Sequence, residues 1–193
     1  RLSSCRKCVD ACLADAITIE KNGKTVNIVT LHTWPQGYAY EAKDRDASRA
    51  ENGGDKYRRM EMEYICNHTI HSVPGAEKQL WMMMGDFNSR SSRDNWFYKY
   101  PAGDTRFLVH DYILQNTPYV DVIAEKYPGE FKTTTGGKSR IDFVYCTPPL
   151  YERVTHADVV TDAYTGPVRD PGKLSNFWHP SDHRPIVVDF DMK

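Results

Sequence analysis

Runs of β-branched and apolar residues predict strands along much of this chain. Residues 16–20 and 25–31 flank Asn22-Gly23, a dipeptide typical of the tight turn in a β-hairpin. In the second run Val26 and Ile28 point to one face and Val29 and Leu31 to the other, which predicts a strand covered on both sides. Further strands are predicted at residues 80–84, 141–146, 154–161 and 186–190.

A different period predicts helices between these strands. Over residues 56–71 the apolar side chains Tyr57, Met60, Tyr64 and Ile65 recur at helical spacing, with charged residues between them. Asp104 is placed to cap a helix that ends near residue 115, and residues 120–127 form another candidate helix. Strands that alternate with helices, without a repeat or a linker, predict one layered α/β domain over residues 1–193.

Composition narrows the class of protein. The 193 residues are 40% apolar and 26% charged, with a formal charge of −1, which is typical of a soluble globular domain. No window approaches the ~18 consecutive apolar residues of a membrane span, and no secretion signal is recognisable. The near-neutral charge argues against a large basic surface for polyanions, although it is compatible with a local basic site.

The cysteines leave the cellular compartment open. Five are present, and Cys5, Cys8 and Cys12 form a C-x2-C-x3-C run that resembles the later part of a bacterial ferredoxin cluster motif. Leu2 occupies the position of the leading cysteine, and no proline follows Cys12. Small buried thiols, or a disulfide in a secreted or periplasmic protein, are the alternatives to an iron–sulfur site.

Four polar clusters lie where predicted strands end or begin. His32 and Gly85-Asp86-Phe87-Asn88 follow two strands, whereas Ser139-Arg140-Ile141-Asp142 and Ser181-Asp182-His183-Arg184 precede two others. If the first pair of strands runs antiparallel to the second pair, all four clusters share one rim of the fold.

Carboxylate and amide oxygens in such a cleft suit Mg2+, Mn2+ or Ca2+. Histidines beside them can donate hydrogen bonds to an anionic phosphoryl group, so the set indicates metal-assisted hydrolysis of a phosphoester. Each cluster also has a simpler interpretation: a structural role for His32, a turn at residues 85–88, an Arg140–Asp142 ion pair, and a loop cap at residues 181–183.

As a set, these motifs resemble the endonuclease/exonuclease/phosphatase superfamily over residues 16–193. The resemblance is carried by Leu31-His32-Thr33-Trp34-Pro35, Met84-Gly85-Asp86-Phe87-Asn88, Arg140-Ile141-Asp142 and Ser181-Asp182-His183-Arg184-Pro185. It implies a four-layer α/β sandwich of two mixed β-sheets flanked by helices.

The same resemblance implies a role for each matching residue. Asp86 would activate or orient the attacking water, and Asn88 would position the water and the phosphate. His183 would contact the scissile phosphate and be oriented by Asp142, while His32 would hydrogen-bond a phosphate oxygen or the leaving group. The metal, Mg2+ with Mn2+ or Ca2+ as alternatives, would lie at Asp182, Asp86 and Asn88.

The chain also departs from the family pattern. Members begin with a strand that carries an asparagine and another that carries a metal-binding Gln-Glu motif, and residues 1–15 match neither. We therefore expect that the N-terminal strands are missing, either because the sequence is a fragment whose remainder is absent or supplied by another chain, or because the protein is an inactive binding or scaffold protein. A fragment would bind metal weakly and hydrolyse poorly.

The substrate is the least constrained feature. Arg90, Arg93 and Trp96 follow the Asp86 motif and could grip phosphates or stack on bases or a lipid headgroup, and Lys138 lies in a polar loop before Asp142. Ordinary solvated loops are the alternative. A nucleic acid, a phospholipid and a small phosphodiester all remain as substrates. Residues 162–180, with Trp178 and His179, form a further candidate rim loop.

Overall fold

The computed structural model of this chain describes residues 15–161 and 181–193. Strands and helices alternate along it, as the sequence predicts. The strands are β1 (Asp15–Lys21), β2 (Lys24–His32), β3 (Leu80–Asp86), β4 (Val120–Asp121), β5 (Asp142–Cys146), β6 (Val154–Val159) and β7 (Ile186–Phe190). The α-helices are α1 (Arg45–Ala50), α2 (Gly53–His68), α3 (Asn95–Tyr98), α4 (Leu108–Asn116), α5 (Val122–Lys126) and α6 (Pro148–Tyr151).

The predicted hairpin is confirmed. β1 and β2 pair antiparallel from Asp15↔Thr30 to Lys21↔Lys24, and the two turn residues Asn22 and Gly23 have φ angles of 54° and 70°. Positive φ at both central positions is the backbone of the type I′ turn, which asparagine and glycine adopt at low cost.

The larger sheet is mixed, with strand order β1-β2-β3-β5-β4. β2 and β3 run parallel, whereas β5 runs antiparallel to both β3 and β4. β6 and β7 form a second, antiparallel sheet. The chain therefore has the expected α/β architecture with two sheets, and the strands of the larger sheet run in the directions that the shared rim requires.

Both faces of the larger sheet are covered, as the pattern of β2 predicts. Val29 and Leu31 pack in a core formed with α2 and α4, whereas Val26 belongs to a second core that also contains Ala157 of β6 and Val188 of β7. Over the described residues the layers are thus helices, the larger sheet and the smaller sheet. The second core also holds residues of α5 and α6.

Two predicted helices have different bounds in the structure. α2 spans Gly53–His68 rather than residues 56–71, and the two glycines at its start pack closely on neighbouring backbone. A Cβ at Gly54 would lie 2.2 Å from the carbonyl oxygen of Gln36. The predicted helix at 120–127 is divided, since β4 pairs with β5 and the Asp121 side chain then caps α5 by accepting from the Ala124 amide at 3.2 Å.

The helix predicted after Asp104 is confirmed. The Asp104 side chain accepts from the Arg106 amide at 2.8 Å, and a 3-10 turn over Thr105–Phe107 leads into α4. No helix in the described residues is both long and apolar enough to cross a bilayer. Cys5, Cys8, Cys12 and the predicted rim loop at 162–180 lie outside the described residues.

Candidate active site

Strand register places three of the predicted site residues side by side. His32 ends β2 and pairs with Asp86 at the end of β3, and Asp86 pairs in turn with Asp142 at the start of β5. Because β2 and β3 are parallel and β5 is antiparallel to β3, two strand ends and one strand beginning share one edge of the sheet. The predicted convergence is confirmed for these three residues.

His183 reaches the same edge from the other sheet. It precedes β7 and forms an isolated β-bridge with Thr135, and the Arg184 amide donates to the Thr134 carbonyl at 2.7 Å. The His183 Nδ1 lies 3.0 and 2.9 Å from the two carboxylate oxygens of Asp142. A carboxylate can only accept here, so Nδ1 carries the proton. Nε2 then lies 4.0 Å from Oδ2 of Asp86.

Neighbouring charges favour the protonated imidazole of His183. Partial burial alone would lower the pKa of His183, but the hydrogen bond and charge of Asp142, with smaller contributions from Asp86 and Asp182, outweigh it and raise the pKa. Burial raises the pKa of Asp142, while the Thr134 hydroxyl and His183 oppose that effect. The pair is therefore best described as an Asp142 carboxylate that holds a histidine biased toward its cationic form.

Asn88 and His32 lie next to the two carboxylate oxygens of Asp86. Asn88 has a left-handed backbone, with φ of 48°, and its backbone N–H donates to Oδ1 of Asp86 at 2.7 Å. Its side chain donates to the carbonyl of Thr33 at 3.2 Å. The His32 Nε2 lies 3.6 Å from Oδ2 of Asp86, and its side chain is 65% exposed, so His32 is free to contact a ligand.

Gly85 allows β2 and β3 to approach closely beside the site. Its φ is 141°, and a Cβ at this position would lie 1.9 Å from the carbonyl oxygen of Leu31. Both the backbone conformation and the contact exclude a larger residue. The glycine therefore fixes Asp86 next to His32.

A neutral histidine that sequence reasoning missed lies beneath the rim. His110 of α4 is fully buried, and its ring centroid lies 5.3 Å from that of Phe87 and 3.9 Å from that of Phe143. Nε2 donates to the Ser89 carbonyl at 3.2 Å, and Nδ1 accepts from the Tyr145 hydroxyl at 2.8 Å. Burial lowers the pKa of His110 to about 3, so the side chain is uncharged at neutral pH.

Arg140 does not pair with Asp142, which corrects that structural interpretation of the sequence. Its fully buried guanidinium bonds Asp94 at 2.7 Å and both oxygens of Asp121 at 2.9 and 2.8 Å. Burial alone lowers the pKa of Arg140, but the charges of Asp121 and Asp94 more than compensate and raise it. Arg140 thus anchors the segment before β5, and the Asp142 carboxylate stays available to His183.

The remaining predicted residues are more dispersed. Asp182 is exposed, and its carbonyl accepts from the Gly136 amide at 3.1 Å. Arg93 forms a surface ion pair with Glu125, Trp96 is 50% exposed, and Lys138 is exposed with φ of 59°. Arg90 is half-buried and lines a cavity beside Asn88.

The two sides of the site differ in chemistry. On the side of His32, an apolar groove of about 330 Å3 is walled by Tyr57, Met60 and Tyr64. On the side of Asn88, the cavity is lined mainly by polar and charged residues. His32 and Asn88, two neighbours of Asp86, thus line cavities of different character.

The donor atoms at the rim fit a hard divalent cation. Ligand atoms of Asp86, Asp142 and His183 lie within 4.8 Å of one another, and Asp182 is not part of this group. Since Asp142 is engaged by His183, Asp86 is the carboxylate that remains for a cation. Mg2+ is commonly held by one or two carboxylates, several waters and substrate phosphates, so this donor set is compatible with it.

Comparisons with known proteins agree with the fold. No family model matches the sequence. No curated protein matches it either. Two solved structures cover 91% of this chain: an AP endonuclease from Archaeoglobus fulgidus, with a TM-score of 0.59 and 20% identity, and the APE2 catalytic domain from Xenopus laevis, with a TM-score of 0.52 and 11% identity. The chain spans 65% and 52% of their respective lengths. It therefore has the α/β fold of these two proteins, which is the fold that the sequence motifs imply.

Proposed function

We propose that this chain carries the active site of a divalent-metal-dependent phosphoester hydrolase, of the phosphodiesterase or nuclease kind, in which water attacks phosphorus. The observation that carries the proposal is the contact of His183 with Asp142 at 2.9 Å, beside the Asp86 carboxylate on the adjacent strand. The shared fold supports it, since the Archaeoglobus fulgidus protein is named as an AP endonuclease.

Each residue has a role that its geometry allows. Asp142 orients His183, and the protonated imidazole donates from Nε2 to a phosphoryl oxygen, where negative charge grows in the transition state. Asp86 accepts a proton from the attacking water or orients it, and the Asn88 amide fixes the Asp86 carboxylate through its 2.7 Å hydrogen bond. His32, exposed at the mouth, contacts a phosphate oxygen or the leaving group.

A bound Mg2+, with Mn2+ or Ca2+ as alternatives, would neutralise phosphate charge and polarise the phosphorus. Asp86 would hold it, and Asn88 and Asp182 are the further ligands that we propose, although Asp182 lies outside the group formed by Asp86, Asp142 and His183.

Hydrolysis of bis-p-nitrophenyl phosphate tests this proposal. The protein is assayed with Mg2+ and with EDTA, alongside Asp86→Ala and the surface control Asp46→Asn. We expect Mg2+-dependent hydrolysis that Asp86→Ala abolishes and Asp46→Asn leaves intact.

Two results would contradict it. A protein without Mg2+-dependent activity, or activity that is indifferent to Asp86→Ala, would favour an inactive binding or scaffold protein that retains the fold.

A further inference from the structure

A cationic cavity adjoins the candidate active site on the side of Asn88. It has a volume of about 280 Å3, and we call it the arginine pocket; its charged and polar lining includes Asp55, Arg58, Asn88, Arg90, Arg106 and Ser139. Asn88 belongs both to this pocket and to the Asp86 hydrogen bond, so the two sites are contiguous.

The three arginines of the pocket differ in whether their charge and hydrogen-bond donors already have protein partners. Arg58 is buried and donates to Asp55 and to the carbonyls of Trp34 and Gln36, at 2.8 to 3.1 Å. Arg106 pairs with Asp104 at 2.6 Å. Two of the three cations therefore already have a carboxylate partner.

Arg90 forms no ion pair within the described residues; the nearby Asp55 carboxylate interacts with its charge but is paired with Arg58. The one hydrogen bond that Arg90 makes there is long, from Nη2 to the Ser139 hydroxyl at 3.4 Å. The Nε atom is buried and has no hydrogen-bond acceptor among the same residues. A buried donor without an acceptor is costly, so this guanidinium is suited to an anionic ligand that supplies one.

Two aromatic rings hold Arg90 in place. The guanidinium carbon lies 5.3 Å from the ring centroid of Tyr98 and 5.7 Å from that of Tyr100. Stacked in this way, the planar group loses little further freedom when it binds a ligand, and its fork of N–H groups matches the oxygens of a phosphate.

We infer that the arginine pocket binds a second phosphate group of the substrate, next to the phosphoester at Asp86; this inference rests on the proposed function. The volume is slightly below the ~300 Å3 at which pockets begin to hold whole small molecules, so the pocket accommodates one part of a substrate. Arginine geometry favours phosphate as that part. The groove beside His32 is lined by the Glu61 carboxylate and by no arginine, so it offers no comparable site for a phosphate.

Calorimetric titration with pyrophosphate tests the pocket without hydrolysis. EDTA in the buffer prevents metal-bridged binding at Asp86. Wild type is compared with Arg90→Gln, Arg90→Lys and Arg59→Gln. Arg59 is a matched control, because its guanidinium also covers a tyrosine, Tyr112 at 3.9 Å, but does not line the pocket.

We expect Arg90→Gln to weaken pyrophosphate binding at least about tenfold, Arg90→Lys to weaken it less, and Arg59→Gln to leave it unchanged. Urea unfolding confirms that each variant is folded; if Arg90→Gln is not, Arg90→Lys decides. Equal affinity of wild type and the Arg90 variants, or no binding by wild type, would overturn the inference.

The source of the phosphate is identified by repeating the titration with the dinucleotide pTpT and with glucose 1,6-bisphosphate. If the affinity for pTpT depends more strongly on Arg90, the substrate is a polynucleotide. If the affinity for glucose 1,6-bisphosphate does, the substrate is a small phosphorylated molecule. If the protein binds pyrophosphate through Arg90 but does not hydrolyse bis-p-nitrophenyl phosphate, the inference about the pocket stands and the proposed function is refuted. If it hydrolyses but does not bind, the inference about the pocket alone is refuted.

Discussion

His110 makes the stability of this fold sensitive to acid. The neutral imidazole is packed between Phe87 and Phe143, which directly follow the site residues Asp86 and Asp142. Its two nitrogens are already engaged, one as donor and one as acceptor. A second proton would break the hydrogen bond from Tyr145 and place a charge in a fully buried site, near the cation of Arg140.

The sign and size of the effect follow from the pKa. Burial lowers the pKa of His110 from its usual 6.5 to about 3 in the folded chain. Below pH 6.5 the unfolded chain therefore takes up a proton that the folded chain does not, and the free energy of unfolding falls as the pH falls. From these pKa values the loss is about 2 kcal/mol at pH ~5 and approaches about 5 kcal/mol near the folded pKa.

Urea unfolding at pH ~7.5 and ~5 measures this loss. The variant His110→Gln retains a donor and an acceptor but does not titrate. Asp55 and Asp94 have pKa values raised by burial and act in the opposite direction, so the difference between wild type and variant isolates His110. We expect wild type to lose about 2 kcal/mol more than the variant. The same pH dependence in both proteins would refute the reasoning.

Three further predictions concern the residues around the site. Gly85→Ala is expected to lower the free energy of unfolding in urea by about 3 kcal/mol or more, because its Cβ would meet the Leu31 carbonyl. The control Gly129→Ala, in open space at φ of 79°, should cost about 1 kcal/mol, and equal costs would contradict the close approach. Arg140→Gln leaves the buried Asp121 and Asp94 without their cation, so the free energy of unfolding should fall by about 3–5 kcal/mol in the same assay. A fall below about 1 kcal/mol would be incompatible with buried ion pairs between Arg140 and these two aspartates. Asp142→Asn removes the charge that raises the pKa of His183, so we expect the proposed phosphodiesterase activity to drop about 100-fold. The decline of that activity at high pH should also move to lower pH, and an unchanged pH–rate profile would show that His183 does not act as a cation.

The rim could be predicted from the sequence because strand ends are local signals. Asp86 and His183 stand beside short apolar runs, and a single assumption about strand direction was enough to bring them together. The hairpin at Asn22-Gly23 was equally local, since its turn chemistry resides in two adjacent residues.

What lies beneath the rim could not be predicted, because it depends on partners distant in sequence. Arg140 bonds Asp94 and Asp121, which are 46 and 19 residues away, rather than Asp142 two positions on. Alternate residues near a strand share a face, but nothing in the sequence marks the buried aspartates. His110 likewise reads as an ordinary helical residue beside Val109. Only the packing of α4 against the sheet shows that its ring is enclosed.

The candidate site has a consequence for how the protein folds. It is formed by His32, Asp86 and Asp142 in one row, together with His183. These residues come from four separate stretches of chain, and His183 meets Asp142 across 41 residues. Such long-range pairing forms late in folding, after local helices such as α2. A kinetic refolding experiment should therefore recover helical circular dichroism first and ligand binding last, which makes binding at the rim a reporter of complete assembly of both sheets.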